Sequence, residues 1–402
     1  MLSWPQRLGI VSGNAFEFYD IAVYAAISPY LSHLLSSHGI AHSEWMVWGI
    51  FALRFLIRPL GGLVIGKIAD TQGRKKALII TSSLTGTATL LMAALPVNIL
   101  GESLVILLLC LQMVQAFSFG GEYPTIIQYL HQSSRSEQHA RISSLIVASS
   151  IIGVIASVLI VMGLKDTLSE SQMQSYGWRI PLVIGAINIA MSFWFRLRLP
   201  AVLSAPPSPR LTNDVRATVR VGLVSITGAV VFYVQNISSS ILAKDFPIQP
   251  FALVNSVTLL MMILLVGWLT DKYILSPRTS FSWGLLAGLV ISYPAYYLLI
   301  HSHYGWQQWI AFMAISLISA LILANLATVL FSIARNNTTS LGLGYNIALS
   351  IFGGMSPLIV SFLSEYDASY VGAYAALTTI PALIGIYVFS APSLSLRTET
   401  NT

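Results

Sequence analysis

The chain breaks into twelve apolar runs, and that pattern constrains its fold more than any other feature. The runs cover residues 9–34, 45–66, 77–97, 103–131, 142–164, 180–199, 219–243, 251–270, 280–300, 308–333, 338–363 and 370–390, each bounded by polar or charged residues. A hydrocarbon core about 30 Å thick takes roughly 20 apolar residues of helix to cross. A helix satisfies its own backbone hydrogen bonds in lipid. A membrane barrel would instead alternate polar and apolar residues in segments of about 10, and no such pattern occurs. Only 9% of the residues are charged and 55% are hydrophobic, against about 25% charged in soluble domains. A chain this apolar cannot cover a core with polar surface, so lipid must be its solvent. The expected fold is an all-α membrane protein with twelve transmembrane helices.

The basic residues fix an orientation. With the N-terminus inside, sixteen Lys and Arg fall in inside segments, three (Lys165, Arg179 and Lys244) fall outside, and Arg54 and Arg58 remain within a span. Basic residues accumulate on the cytoplasmic side of a membrane, so an even number of spans with both termini cytoplasmic is expected, in a bacterial-type inner membrane. The net charge of +6 is thus a topology signal, and a nucleic-acid partner is not expected. Cys110 is the only cysteine, which excludes internal disulfides and cysteine-based metal sites. The first apolar run holds Glu17 and Asp20 and leads into further spans, so it reads as a retained helix rather than a cleaved signal.

The longest polar stretch, 200–218, contains Ala205-Pro206-Pro207-Ser208-Pro209-Arg210. Proline fixes φ and lacks a donor, so this is a loop. It divides the chain into an N-terminal six-helix bundle (1–200), a cytoplasmic linker (201–218) and a C-terminal six-helix bundle (219–402). The halves share a motif. Gly66-Lys67-Ile68-Ala69-Asp70 follows the second run, and Gly267-Trp268-Leu269-Thr270-Asp271 follows the eighth, 201 residues later. A repeat at half the chain length indicates internal duplication. In the longer copy, which continues to Gly73 and Arg74-Lys75-Lys76, glycines permit a tight turn. Asp70 can cap its following helix or meet the N-terminus of a neighbouring one.

This loop resembles the signature of the major facilitator superfamily. Further strings narrow the resemblance to its metabolite:proton symporter branch, which includes proline/betaine, citrate, α-ketoglutarate and shikimate transporters. They are Asn14-Ala15-Phe16-Glu17-Phe18-Tyr19-Asp20, Arg58-Pro59-Leu60-Gly61-Gly62, Gln115-Ala116-Phe117-Ser118-Phe119-Gly120-Gly121-Glu122, Trp178-Arg179-Ile180-Pro181, and Gly344-Tyr345-Asn346 with Phe352-Gly353-Gly354 and Pro357. The resemblance implies two pseudo-symmetric six-helix bundles with a midplane site between them. It also implies secondary active transport of a small solute by alternating access, with no enzyme activity and no cofactor. The family pattern has Arg-x-x-Gln-Gly in the fourth span, where this chain has Gln112-Met113-Val114-Gln115-Ala116. A basic residue tied to coupling in related transporters is therefore absent here.

Charges inside the spans mark the candidate site. Glu17 and Asp20 are three apart, hence on one helical face, with Asn14 and Tyr24 extending it. Arg54 and Arg58 are four apart on the second span. A charge at mid-membrane costs roughly 2.5–3.5 kcal/mol on insertion scales, so mutual pairing around a wet cavity is expected. A carboxylate beside an arginine keeps its charge, and one that loses that partner to a substrate takes a proton. Asp20 and Glu17 are therefore the expected proton-coupling residues, and Arg54 and Arg58 the expected anchors for a substrate carboxylate. A static ion-pair cluster is the alternative reading of the same four residues. Tyr24, Gln115, Tyr233, Asn236, Tyr345 and Asn346 are the remaining candidate substrate contacts. Gly66, Asp70, Gly73, Arg74, Glu122 and Asp271 are expected to serve the conformational change, with Glu122 pairing the basic loop 74–76. Ser149, Gly153 and Ser157 form a small-residue stripe expected to pack closely against another helix. The glycines of the eleventh span and Pro357 are expected to let it bend.

Other signals carry little. Gly61 to Ile68 nearly matches a phosphate-binding loop, but Ile68 lacks the hydroxyl that magnesium needs. The seven histidines show no metal-ligand spacing, and His301 and His303 fall in an outer loop. The expected function is proton-coupled uptake of a small carboxylate-bearing metabolite or zwitterionic osmolyte (an organic acid, an amino acid, proline or betaine) by a monomer in the bilayer. A uniporter or exporter on the same fold is the alternative, and a membrane receptor or enzyme a more distant one.

Overall fold

The computed structural model describes residues 2–37, 39, 42–96, 99, 103–200, 214–236, 251–273 and 275–388. Among them run twelve long helices and no strand. These are α1 (Trp4–Ser37), α2 (Ser43–Gln72), α3 (Arg74–Ala93), α4 (Ser103–Gln132), α5 (His139–Thr167), α6 (Arg179–Leu197), α7 (Val215–Asn236), α8 (Phe251–Lys272), α9 (Pro277–His301), α10 (Gly305–Ala334), α11 (Thr338–Tyr366) and α12 (Tyr370–Tyr387). Ten of them, α3 to α12, are long and apolar enough to cross a membrane. α1 and α2 are 34 and 30 residues long and carry the mid-helix charges. Large apolar side chains such as Leu56, Val290 and Leu358 are two-thirds or more exposed on the outside of the bundle. That arrangement is stable only where the surrounding medium is apolar.

Helix ends depart from the apolar runs where polar residues make good helix. α3 begins at Arg74, three residues before its run, because Arg and Lys are strong helix formers that need not be apolar to extend a span. α7 begins at Val215, inside the expected linker, where the Asp214 carboxylate accepts from the Ala217 N–H at 3.0 Å. That is an N-cap. The rest of the linker, 201–213, lies outside the described residues, as does the end of the seventh run. Between α2 and α3 the backbone turns at Gly73, whose φ of 98° is open to glycine and strained for side-chain-bearing residues.

Packing follows the two halves. α1 lies against α5 and α6, α2 against α3 and α4, and α3 against α4 and α6. In the other half α7 lies against α10, α11 and α12, α9 against α10 and α12, and α8 against α10. The groups meet mainly along α2–α11 and α5–α8, which exchange places when each helix number advances by six. Small residues allow the approach: a Cβ on Gly62 would meet the Gly342 backbone, and one on Gly342 would meet Gly62. The stripe on α5 packs as expected, since a Cβ on Gly153 would strike the Ala15 carbonyl of α1.

α11 departs from regular α-helical geometry. Its Leu349–Gly353 segment is π-helical. Pro357 has no N–H for the carbonyl four residues earlier, and a π segment is one way a helix absorbs such a break. At the far end of the bundle His301 Nε2 lies 3.0 Å from Asp367 Oδ2, joining α9 to the turn before α12. Burial pushes the Asp367 carboxyl up, but the Ser369 N–H and the His301 ring outweigh it and hold it below the usual range.

Candidate functional site

The charged residues expected to meet do so at the centre of the interface, with one change of partners. Glu17 on α1 and Arg58 on α2 form an ion pair, Nη2 to Oε1 at 2.6 Å, with both side chains almost wholly buried. Arg58 Nε also donates to Asn346 Oδ1 on α11 at 3.3 Å. Asn346 is itself oriented by its amide, which donates to the Gly120 carbonyl at 2.6 Å and the Gly342 carbonyl at 2.7 Å. A guanidinium from one half is thus held by a carboxylate of its own half and an amide of the other. Glu17 Oε2 and Arg58 Nη1 are buried without a hydrogen-bond partner among the described residues. Buried polar atoms are normally satisfied, so this pair retains bonding capacity on both members.

Aromatic rings surround the pair. Tyr345 stacks on Tyr123 with centroids 4.7 Å apart, Phe18 meets Phe232 edge-on at 5.0 Å, and Phe55 meets Tyr233 at 6.1 Å. Each contact joins the two halves. A cavity of about 20 Å³ lies among Phe18, Tyr123, Ser150, Phe232, Tyr233 and Tyr345, room for about one water. Of the candidate contacts, Tyr233, Tyr345 and Asn346 therefore reach the centre. Tyr24 does not: its hydroxyl donates to the Val47 carbonyl at 3.2 Å. Asn236 also lies apart, its carbonyl oxygen accepting from Ser256 at 3.3 Å. Phe18, Tyr123 and Phe232 join Tyr233 and Tyr345 at the cavity: a phenylalanine in an apolar run carries no polar signal, and nothing local to the sequence distinguishes Tyr123 from the other tyrosines of the spans.

Asp20 sits in a separate polar cluster. Its Oδ2 accepts from Thr89 Oγ1 at 2.8 Å and from Gln115 Nε2 at 3.1 Å, while Oδ1 is buried without a partner among the described residues. Gln115 thus binds Asp20 rather than facing the cavity. Arg54 donates from Nη1 to Gln112 Oε1 at 2.8 Å, and Gln112 Nε2 donates to Gln115 Oε1 at 3.1 Å. Arg54 also lies 5.9 Å from the centre of the Phe119 ring. The expected pairing of two acids with two arginines therefore resolves into one direct pair and one connected through amides.

The repeated motif closes one end of the interface from both sides. Asp70 on α2 accepts from the N–H groups of Thr338 and Thr339, each at 2.9 Å, at the start of α11. Asp271 on α8 accepts from the N–H groups of Ala140 and Arg141 at 3.1 and 2.9 Å, at the start of α5. Each aspartate caps a helix of the opposite half, where unpaired N–H groups and the helix dipole favour negative charge. Of the two positions open to Asp70, the structure takes the neighbouring helix. Arg74 donates to the Asn336 carbonyl at 3.1 Å and to Thr338 Oγ1 at 3.4 Å, and Gly66 lies against Thr339. His131 on α4 adds a contact from Nε2 to Thr328 Oγ1 on α10 at 2.9 Å.

Glu122 corrects an expectation. It pairs with Arg196 of α6 at 2.5 Å, with both side chains buried, and not with the basic loop 74–76. Arg196 also donates to the Leu78 carbonyl and to Ser82 Oγ, so it is a core residue of its bundle rather than part of an inside loop. The reason is depth: Glu122 lies ten residues from the end of α4, beyond reach of a loop whose Arg74 is engaged across the interface. No cluster of three or more His, Cys, Asp or Glu able to hold a metal occurs among the described residues.

Comparison with known proteins follows the same lines. Residues 8–204 match the family model described as "Sugar (and other) transporter". The α-ketoglutarate permease of Escherichia coli K12 is 32% identical over 194 residues, a match that covers 48% of this chain and 45% of the permease. The ectoine/proline transporter of Corynebacterium glutamicum is 26% identical, with 96% of this chain and 82% of that protein aligned. A Staphylococcus aureus protein, provisionally named a proline/betaine transporter, is 28% identical over 95% of this chain and 86% of its own length. Among solved structures, a major facilitator superfamily proton:xylose symporter superposes with a TM-score of 0.76 at 13% identity, covering 94% of each chain. The human organic anion transporter superposes at 0.66 and 14% identity, covering 96% of this chain and 100% of that one. At such identities the likeness is one of fold.

Proposed function

Since the chain belongs to the major facilitator superfamily, we propose that it is a secondary active transporter coupling proton entry to uptake of a small carboxylate-bearing metabolite or zwitterionic osmolyte. The observation that carries the reading is the Glu17–Arg58 pair, buried in the interface between halves and touched by Asn346 of the opposite half. α-Ketoglutarate, proline, ectoine and betaine, the solutes in the relatives' names, all bear a carboxylate. Arginine is suited to bind that group. A substrate carboxylate that takes the place of Glu17 on Arg58 leaves Glu17 buried without its counter-charge. Accepting a proton then costs less than staying ionised there. Asp20, with one oxygen unpartnered, is the second proton site. Tyr233 and Tyr345 shape the rest of the cavity.

The distribution of Lys and Arg supports placing the Asp70–Asp271 end at the cytoplasm of an inner membrane. The Asp70, Arg74 and Asp271 contacts then form the cytoplasmic gate, closed here, with Gly66 and Gly73 shaping its turn. The cavity of about 20 Å³ is far smaller than typical ligand sites of about 300 Å³ or more, so binding requires the halves to part. Rocking that opens the cytoplasmic side must break both aspartate caps. Uniport is the second reading, favoured by the neutral Gln112 beside Arg54, where the pattern the chain resembles would place a basic residue.

Purified protein in liposomes, offered labelled organic acids, amino acids and betaines with and without an inside-alkaline gradient, separates these readings. The expected result is accumulation of one carboxylate-bearing solute above equilibrium, and only with the gradient present. Entry that stops at equal concentrations under both conditions supports uniport, and failure to move any carboxylate-bearing solute refutes the substrate class.

A further inference from the structure

Arg54 and Asp20 sit at the two ends of a directed hydrogen-bond chain. Arg54 Nη1 donates to Gln112 Oε1 at 2.8 Å, Gln112 Nε2 to Gln115 Oε1 at 3.1 Å, and Gln115 Nε2 to Asp20 Oδ2 at 3.1 Å. The direction is set by the ends. A guanidinium only donates and an ionised carboxylate only accepts, so each amide must turn its carbonyl to Arg54 and its NH₂ to Asp20. The remaining contacts hold that orientation. Gln112 Nε2 also lies 3.1 Å from Met92 Sδ, and Gln115 Nε2 lies 2.6 Å from Thr89 Oγ1, which donates to the same Asp20 oxygen. All four residues of the chain are 3% exposed or less, a setting in which linked hydrogen bonds polarise one another.

We propose that Gln112 and Gln115 are positioning residues that transmit the protonation state of Asp20 to Arg54. Ionised Asp20 anchors the acceptor end and draws the donor polarity of the chain away from the central cavity. A proton on Asp20 removes that anchor charge, and Arg54 then offers more of its charge to an anion beside Arg58. Linkage makes the effect mutual: an anion at Arg54 favours the proton on Asp20 by the same factor. The inference rests on the reading of Asp20 as a proton site.

Gln112 is the diagnostic residue because it meets Asp20 only through Gln115. Infrared difference spectra of the full protein in lipid, recorded across pH, follow the protonated carboxyl band that Asp20→Asn removes. No ligand is needed. Arg54→Gln and Gln112→Met are each expected to move the midpoint of that band in the same direction by about one pH unit, a tenfold change within the range of coupled sites. The double variant is expected to move it by less than the sum of the two single shifts, since Arg54 acts on Asp20 partly through the chain that Gln112→Met already breaks. An unmoved midpoint in Gln112→Met, or additive shifts in the double variant, overturns the relay. Gln112→Asn, which keeps the amide, provides a second test should the methionine variant fail to fold: its shortened reach is expected to move the midpoint in the same direction, and no movement again overturns the relay. Absence of any titrating band assignable to Asp20 overturns the parent reading instead, and the relay with it.

Discussion

Asp20→Asn protein is expected to lose uphill accumulation of its solute while retaining exchange of labelled for unlabelled solute across the same membrane. Asparagine preserves the shape, and its carbonyl can accept the hydrogen bonds that Thr89 and Gln115 now give Oδ2. The fold and the Arg58 site therefore remain. Only the proton on Asp20 is removed, and net coupling requires it together with the one on Glu17. One proton moving down a gradient of one pH unit yields about 1.4 kcal/mol, enough for roughly tenfold accumulation of a neutral complex. The expected ratio of inside to outside solute falls from about ten to one. Paired measurements of gradient-driven uptake and counterflow check this. Unchanged gradient-driven accumulation shows that the proton is carried elsewhere.

The second large effect is at Arg58. Removing one member of a buried ion pair leaves the other charged and uncompensated, at a typical cost of about 3–5 kcal/mol. Arg58→Gln is expected to lower the thermal stability of the purified protein by an amount of that order and to abolish transport. Glu17→Gln/Arg58→Gln removes both charges, and its stability is expected to return to within about 1 kcal/mol of the parent, because buried pairs often break even against neutral replacements. Transport is expected to stay absent in the double variant, since the carboxylate anchor is gone. That difference separates a functional pair from a static one. Thermal unfolding in detergent and uptake in liposomes, measured on both variants, provide the two readouts. Recovery of transport together with stability assigns the pair a purely structural role.

Much of this architecture is written locally along the chain. Apolar runs and their basic flanks locate the helices because the membrane acts on each span separately. The aspartates of the repeated motif announce a duplication, and the structure adds that each serves the helix of the opposite half. That the two acids and two arginines are paired follows from the cost of isolated charge in lipid; that Glu17 takes Arg58 does not. The partners of Arg54 do not follow from that argument. Arg54 lies one turn, roughly 6 Å, from Arg58 along α2, at a level where α4 presents Gln112. Which helix stands at that level is a property of the whole bundle. The role of Arg196 is hidden in the sequence for a related reason. At the end of an apolar run an arginine is equally suited to water and to a buried carboxylate, and only the proximity of α4 and α6 shows that Glu122 takes it. Thr89, a single hydroxyl in an apolar helix, carries no periodic signal, although it holds Asp20 at 2.8 Å.

The central claim is that solute and proton cross together. Its most direct test is to add the transported solute to liposomes holding the protein and a trapped pH dye, with no gradient imposed and the membrane potential clamped. The account predicts that the interior acidifies as solute enters, and that Asp20→Asn protein abolishes this acidification. Solute entry into wild-type liposomes with no change of internal pH would contradict it.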